Sequence, residues 1–191
     1  MMKRTNTYIL VVAMVAFLSG CSMLGMGGRS YDDAMDKNRS RIDNEDLLDD
    51  ARFLVEMQSF GLMLNAMGDT VASRAYARKV SDFGREISKK MNFYLDDLDK
   101  VADDLDIVLP EEMSNSHMDQ MKDLLDADED DFDEVFLTML EAELQKQRRQ
   151  TERMATEAHN DDVRAWTARQ VKMMKDYEDR ADRMEEELLT D

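Results

Sequence analysis

YARKVSDFGREISKKMNFYLDDLDKVADDL, residues 76–105, is the stretch whose reading decides the fold. Tyr76, Val80, Phe83, Ile87, Met91, Tyr94, Leu98, Val101 and Leu105 recur at steps of three and four, with charged residues between them. Side chains three and four apart share one side of an α-helix, whereas a strand alternates at two, so this is one long amphipathic helix. It ends near Asp106, because Pro110 has no amide hydrogen to donate and restricts Leu109 before it.

The same periodicity extends outward. Upstream, a first helix spans about Glu45 to Met67, with Gly68 as its stop and Asp69 or Thr70 as the cap of the next. Downstream, a short helix covers Ser116 to Leu125. A third long helix runs from about Asp130 to Ala158, beginning under Asp126, Asp128, Glu129, Asp130 and Asp131, whose charge suits a helix N-terminus. Asn160 caps a last helix with the stripe Trp166, Gln170, Met173, Tyr177, Ala181, Met184 and Leu188. One proline and seven glycines, four of them at or before Gly28, leave few breakers for a sheet with tight turns. The expectation is all-α: an antiparallel four-helix bundle in up-down-up-down order over residues 45–191, with a short extra helix between the second and third long ones.

The N-terminus reads differently. Lys3 and Arg4 precede an unbroken apolar run from Tyr8 to Leu18, and Leu18-Ser19-Gly20-Cys21 follows at once. This is the layout of a secretory signal peptide over residues 1–20, and its last four residues resemble the bacterial lipobox. A membrane-spanning helix needs about 20 apolar residues, which this run lacks. Leu18, Ser19 and Gly20 are therefore read as the processing signal and Cys21, the only cysteine, as the lipidated nucleophile. With Cys21 acylated, no cysteine remains for a disulfide. Ser22 resembles the residue that sends lipoproteins to the outer membrane. Residues 21–44, small and polar, are expected to be a flexible tether reaching roughly 70 Å at about 3.3 Å per residue.

The formal net charge is -18, and removal of the signal peptide, with Lys3 and Arg4, takes it to -20. Such a chain repels nucleic acid and anionic headgroups and suits a basic protein partner or cations.

The opening helix (FLVEMQSFGLMLNAMGDTVAS), DIVLP at Asp106 to Pro110, and DFDEVFLTML at Asp131 to Leu140 together resemble a family of ferritin-like four-helix bundles known as domain of unknown function 4142. The resemblance covers about Arg52 to Leu189. It implies a ferritin-like bundle in an exported protein, often a lipoprotein, and no particular reaction. The family often carries histidines in helices two, three and four, and the matching positions here are Phe83, Glu143 and Tyr177.

Catalytic constellations are sparse. A di-iron site needs Glu-x-x-His on two helices, but Ser114 and Thr156 stand three residues before His117 and His159. Asp126, Asp128 and Asp130 begin like a calcium loop, yet Asp131 and Leu137 occupy its glycine and glutamate positions. Met113, His117 and Met121 lie four apart and offer donors that suit Cu(I), making them the candidate metal residues, although methionine at helical spacing is more often packing. Glu143, Gln147 and Gln150 fall where the third helix should face the core. Either that helix turns this face to solvent, or the three line a polar seam with Gln58, Asn65 and Gln170. No phosphate loop or nucleophile elbow is present. The expectation is a non-enzymatic, cofactor-free binding or structural module in the cell envelope, anchored at Cys21 to the outer membrane and facing the periplasm. The alternative is a periplasmic metal-binding bundle for copper or a divalent cation, and after it an oxidase or hydrolase whose site is assembled from distant segments.

Overall fold

The computed structural model describes residues 28–188. Leu18, Ser19, Gly20 and Cys21 lie outside the described residues. Six helices follow in order: α1 Tyr31–Arg41, α2 Glu45–Arg74, α3 Arg78–Asp104, α4 Asn115–Asp126, α5 Phe132–Glu157 and α6 Asp161–Leu188. Among the described residues there is no strand, and no helix is long and apolar enough to cross a membrane. The fold is all-α, with four long helices around one core.

Helices α2 and α3 form one hairpin, α5 and α6 a second, and the two hairpins face each other. Packed neighbours among the four long helices are antiparallel. The order along the chain differs from expectation, however. The start of α5 lies beside the start of α3, because Asp133 receives the Tyr76 and Ala77 amides at 3.1 and 2.7 Å. The chain therefore runs up-down-down-up, and the segment from Leu105 to Asp131, including α4, returns it from one end of the bundle to the other. A single long crossover of this kind is the ferritin-like connection.

The two hairpins repeat each other at a constant offset in sequence. Asp50, Phe53 and Leu54 correspond to Asp133, Phe136 and Leu137. Every buried residue of α6 has a buried counterpart in α3, such as Val80 for Val163, Met91 for Met174 and Tyr94 for Tyr177. The same offset relates the turns. Asp133 caps the α2–α3 turn, and buried Asp50 of α2 caps the α5–α6 turn, accepting from the His159 and Asn160 amides at 3.0 and 2.7 Å. It relates the aromatic packing too. Trp166 lies 6.4 Å from Phe53 and 5.2 Å from Tyr94, while its counterpart Phe83 lies 6.5 Å from Phe136 and 5.6 Å from Tyr177. Each cluster draws on both hairpins, so the core holds them together.

Three local expectations are corrected. Gly68 does not stop a helix; α2 continues to Arg74. A Cβ on Gly68 would sit 2.6 Å from the Ser88 amide nitrogen and 2.7 Å from the Gly84 carbonyl oxygen, so glycine serves close approach of α2 to α3. Tyr76 opens no helical stripe but stands 96% exposed in the turn before α3. The segment read as a tether contains α1. Ser30 caps it by accepting from Asp33, and Asn38 exchanges two 2.8 Å hydrogen bonds with the Val108 backbone. Arg29 donates to the Leu109 carbonyl at 2.5 Å, and its own carbonyl accepts from the Glu111 amide at 2.7 Å.

The end of α3 lies as expected, by a route the sequence conceals. Asp106 takes the left-handed conformation (φ 55°), and the Ile107 amide reaches back to the Ala102 carbonyl at 2.9 Å. This is the helix-ending turn usually built on glycine.

Gly68→Ala gains helix propensity but forces a methyl group onto backbone, for an expected net loss of about 1–3 kcal/mol read from thermal melting. Asp50→Ala and Asp133→Ala each strip two amides of a charged acceptor, and each is expected to cost about 2 kcal/mol in the same measurement.

Candidate functional site

The crossover sets Ile107, Leu109, Met121 and Leu124 into the core, and polar contacts add a specific seat for it. Helix α4 lies against α2 and α5. Its cap, Ser114, accepts from the His117 amide at 3.3 Å and donates its own amide to Ser59 Oγ of α2 at 2.8 Å. The His117 ring is 1% exposed, with Nδ1 2.6 Å from Ser59 Oγ. Its Nε2 lies 3.5 Å from Glu143 Oε1 of α5 and 3.8 Å from Glu56 Oε1 of α2. Gln147 Nε2 donates to Glu143 at 2.7 Å and to Glu56 at 3.3 Å, and Lys146 Nζ donates to both Glu143 oxygens. The Tyr31 hydroxyl of α1 donates to Glu56 at 3.0 Å. One network thus ties α1, α2, α4 and α5.

Its electrostatics favour a charged acceptor at the centre. Burial pushes the Glu143 carboxyl up, but hydrogen bonds from His117, Gln147 and Lys146 outweigh it and hold the group at about 2. Burial, then the Glu56 charge, pushes the Tyr31 phenol up to about 12, which keeps it a donor. With its proton on Nε2, His117 accepts from Ser59 and presents N–H to the two carboxylates.

Serine, imidazole and carboxylate in line are the parts of an acyl-transfer triad. Here the geometry serves another end. Ser59 is fully buried, its hydroxyl already receives the Ser114 amide, and no open face remains for a substrate carbonyl. The arrangement locks the crossover onto the bundle.

The structure sorts the sequence candidates accordingly. Met121 and His117 are buried on the inner face of α4 and Met113 packs beside the core. Both nitrogens of His117 face oxygen. Among the described residues no group of three His, Cys, Asp or Glu is placed to hold a metal ion. Glu143 and Gln147 take the seam alternative, 6% and 0% exposed, but they meet Glu56 and His117 rather than Gln58, Asn65 or Gln170. Asn65 instead bonds Ser88 and Asn92 of α3. Phe83 and Tyr177 meet edge to face in the second aromatic cluster, whereas Glu143 faces α4. Ser59 and Glu56 escaped the sequence reading. The available signal was a histidine on the inner face of the short helix together with a glutamate on the inner face of the third long one.

A family model described as "Domain of unknown function (DUF4142)" matches residues 37–184, well over half of the chain, starting within α1. No curated protein and no solved structure matches.

For the lock, acid should be the discriminating condition. A carboxyl held below its ordinary 4.5 contributes stability above that pH, and the contribution is lost as pH falls through about 2. Glu143→Gln is expected to cost on the order of 2 kcal/mol at neutral pH. The gap between wild type and variant should close between about pH 4.5 and 2 in melts recorded across that range.

Proposed function

The chain belongs to the DUF4142 family, and from that footing we propose that it is an envelope lipoprotein. Acyl chains on Cys21 hold it at the periplasmic face of the outer membrane, where its helical domain works as a non-catalytic binding or structural accessory module. The observation that carries this is the order Lys3-Arg4, the apolar run from Tyr8, then Leu18-Ser19-Gly20-Cys21. Two or three acyl chains suffice for stable anchoring, at about 0.8 kcal/mol per buried CH2. Ser22 supports the outer-membrane address. Closure of the Ser59–His117–Glu143 network to solvent supports the non-catalytic part. The net charge of -18 argues for basic partners and against nucleic acid.

The docking of Arg29 and α1 alters the expected reach. Only the residues between Cys21 and Gly28 separate the lipid from the folded domain, a span of at most about 25 Å. The anchored domain is thereby kept near the bilayer and not on a long tether.

The test is metabolic labelling of the full chain with an alkynyl fatty acid in a two-membraned bacterium, followed by membrane fractionation. The wild type should carry label and sediment with outer membranes. Cys21→Ser should lose both properties. Retention of label or membrane partition by that variant would sink the reading.

A further inference from the structure

Helices α3 and α6 meet along a row of ion pairs, on the side of the bundle away from α4, which lies against α2 and α5. Lys79 meets Glu187, Glu86 meets Arg180 and Asp97 meets Arg169. Each step along α3 is matched by an equal step back along α6, so Phe93 stands level with Met173. Met173 is partly buried against the core, whereas Phe93 is 61% exposed. One exposed phenylalanine needs no explanation, but its surroundings do. Lys89 and Lys90 lie one turn before it, Lys172 next to Met173, and Lys175 one turn beyond Lys172. All four lysines are exposed, and among the described residues their ammonium groups have no hydrogen-bond or ion-pair partner. In a chain with 43 Asp and Glu against 25 Lys and Arg, four neighbouring cations without a carboxylate are unexpected. The carboxylates within the row are engaged: Asp97 by Lys100 and Arg169, Glu86 and Asp176 by Arg180. Asp96 and Asp179 stand at its borders.

Free ammonium groups around an aromatic ring suit a surface that is negative outside and apolar just beneath. Anionic phospholipid is such a surface. Lysine stems lie along it with their charges among the phosphates, and a phenylalanine ring enters the boundary of headgroups and acyl chains. An acidic protein would also satisfy the lysines, but the place where the anchor joins the domain favours the bilayer. Arg29 is fastened to Leu109 and Glu111, just past the end of α3 at Asp104. Phe93 lies about 17 Å from that end along the axis, at about 1.5 Å per residue. Residues 21–28 reach at most about 25 Å, so an acylated Cys21 brings lipid within range of the patch. A tether of that length turns a weak contact into one at high effective concentration. Elsewhere the acidic chain is repelled by the same lipid, which selects the orientation. We propose that the α3–α6 face around Phe93 rests on anionic phospholipid headgroups and turns α4 away from the bilayer. This contact rests on the lipid anchor at Cys21 proposed above.

The experiment reconstitutes the lipidated full chain into vesicles of phosphatidylethanolamine and phosphatidylglycerol whose acyl chains carry bromine, a tryptophan quencher. Trp166 is fully buried and supplies a constant background. Phe93→Trp adds a reporter to the patch, and Met118→Trp adds one to α4, where Met118 is 47% exposed. Flotation of the vesicles reads the anchor, and quenching reads the face. The chain should float, and quenching should be several-fold greater at position 93 than at position 118. Replacing phosphatidylglycerol by phosphatidylcholine, or adding Lys89→Glu with Lys172→Glu, should reduce quenching at position 93 to that at position 118. Those two lysines are exposed and unpaired, so the reversal should leave the melting temperature unchanged. Failure to float would overturn the anchor and this contact with it. Flotation with equal quenching at the two positions would overturn the contact alone and leave the patch to an acidic protein. Quenching at position 93 that survives both charge changes would overturn the recognition of anionic lipid.

Discussion

Two buried carboxylates organise this bundle. Each hairpin turn leaves amides that its own helices cannot satisfy, and each finds its acceptor on the opposite hairpin: Asp133 for the α2–α3 turn, Asp50 for the α5–α6 turn. An acceptor with full charge, shielded from water, binds amides more strongly than a neutral one. The bonds are also geometric. They fix which end of α5 lies beside which end of α3, and so require a crossover the length of the bundle. The aromatic clusters then fill the space between hairpins already set in register.

The crossover is where the fold becomes polar. Glu143 and Gln147 occupy positions whose counterparts in the first hairpin are the fully buried Phe60 and Leu64. An apolar pair there would cover the core but would leave His117 of α4 without an ionised partner on α5. In their place, Glu143 and Gln147 give α4 a specific seat, with Ser59 and Glu56 completing it from α2. Helix α1 is held in the same manner, through Asn38, Arg29 and Tyr31 rather than an apolar stripe.

That distinction explains what the sequence could reveal. The long helices were legible because burial of one face imposes a period of about 3.6, and the stripe from Val80 to Leu98 is uninterrupted. Pro110 and Asn160 marked boundaries through local chemistry. Helix α1 was not legible, since only Ala34 and Asn38 are buried on it and the bonds that hold its segment reach residues 70 and 80 positions away. Gly68 misled because glycine signals both a helix stop and a close approach, and only tertiary structure distinguishes them. The seam at Glu143 was visible as an ambiguity. Its resolution needed Ser59 and Glu56, whose own spacing carries no mark of their role. The repeat of one hairpin in the other stayed hidden because it preserves burial more than identity: Phe83 becomes Trp166 and Ile87 becomes Gln170.

The mutual capping of the hairpins has a further consequence. The bonds that complete each turn join one half of the chain to the other, and nothing in them requires that both halves belong to the same molecule. Two copies exchanging their second hairpins would satisfy the same aspartates and rebuild the same aromatic clusters. What favours the closed monomer is effective concentration: the connection from Leu105 to Asp131 lies back along its own bundle and is fastened there at His117. The contact of His117 with Ser59 thus keeps the crossover on the first hairpin of its own chain and shortens the free connection that a swapped pair would need.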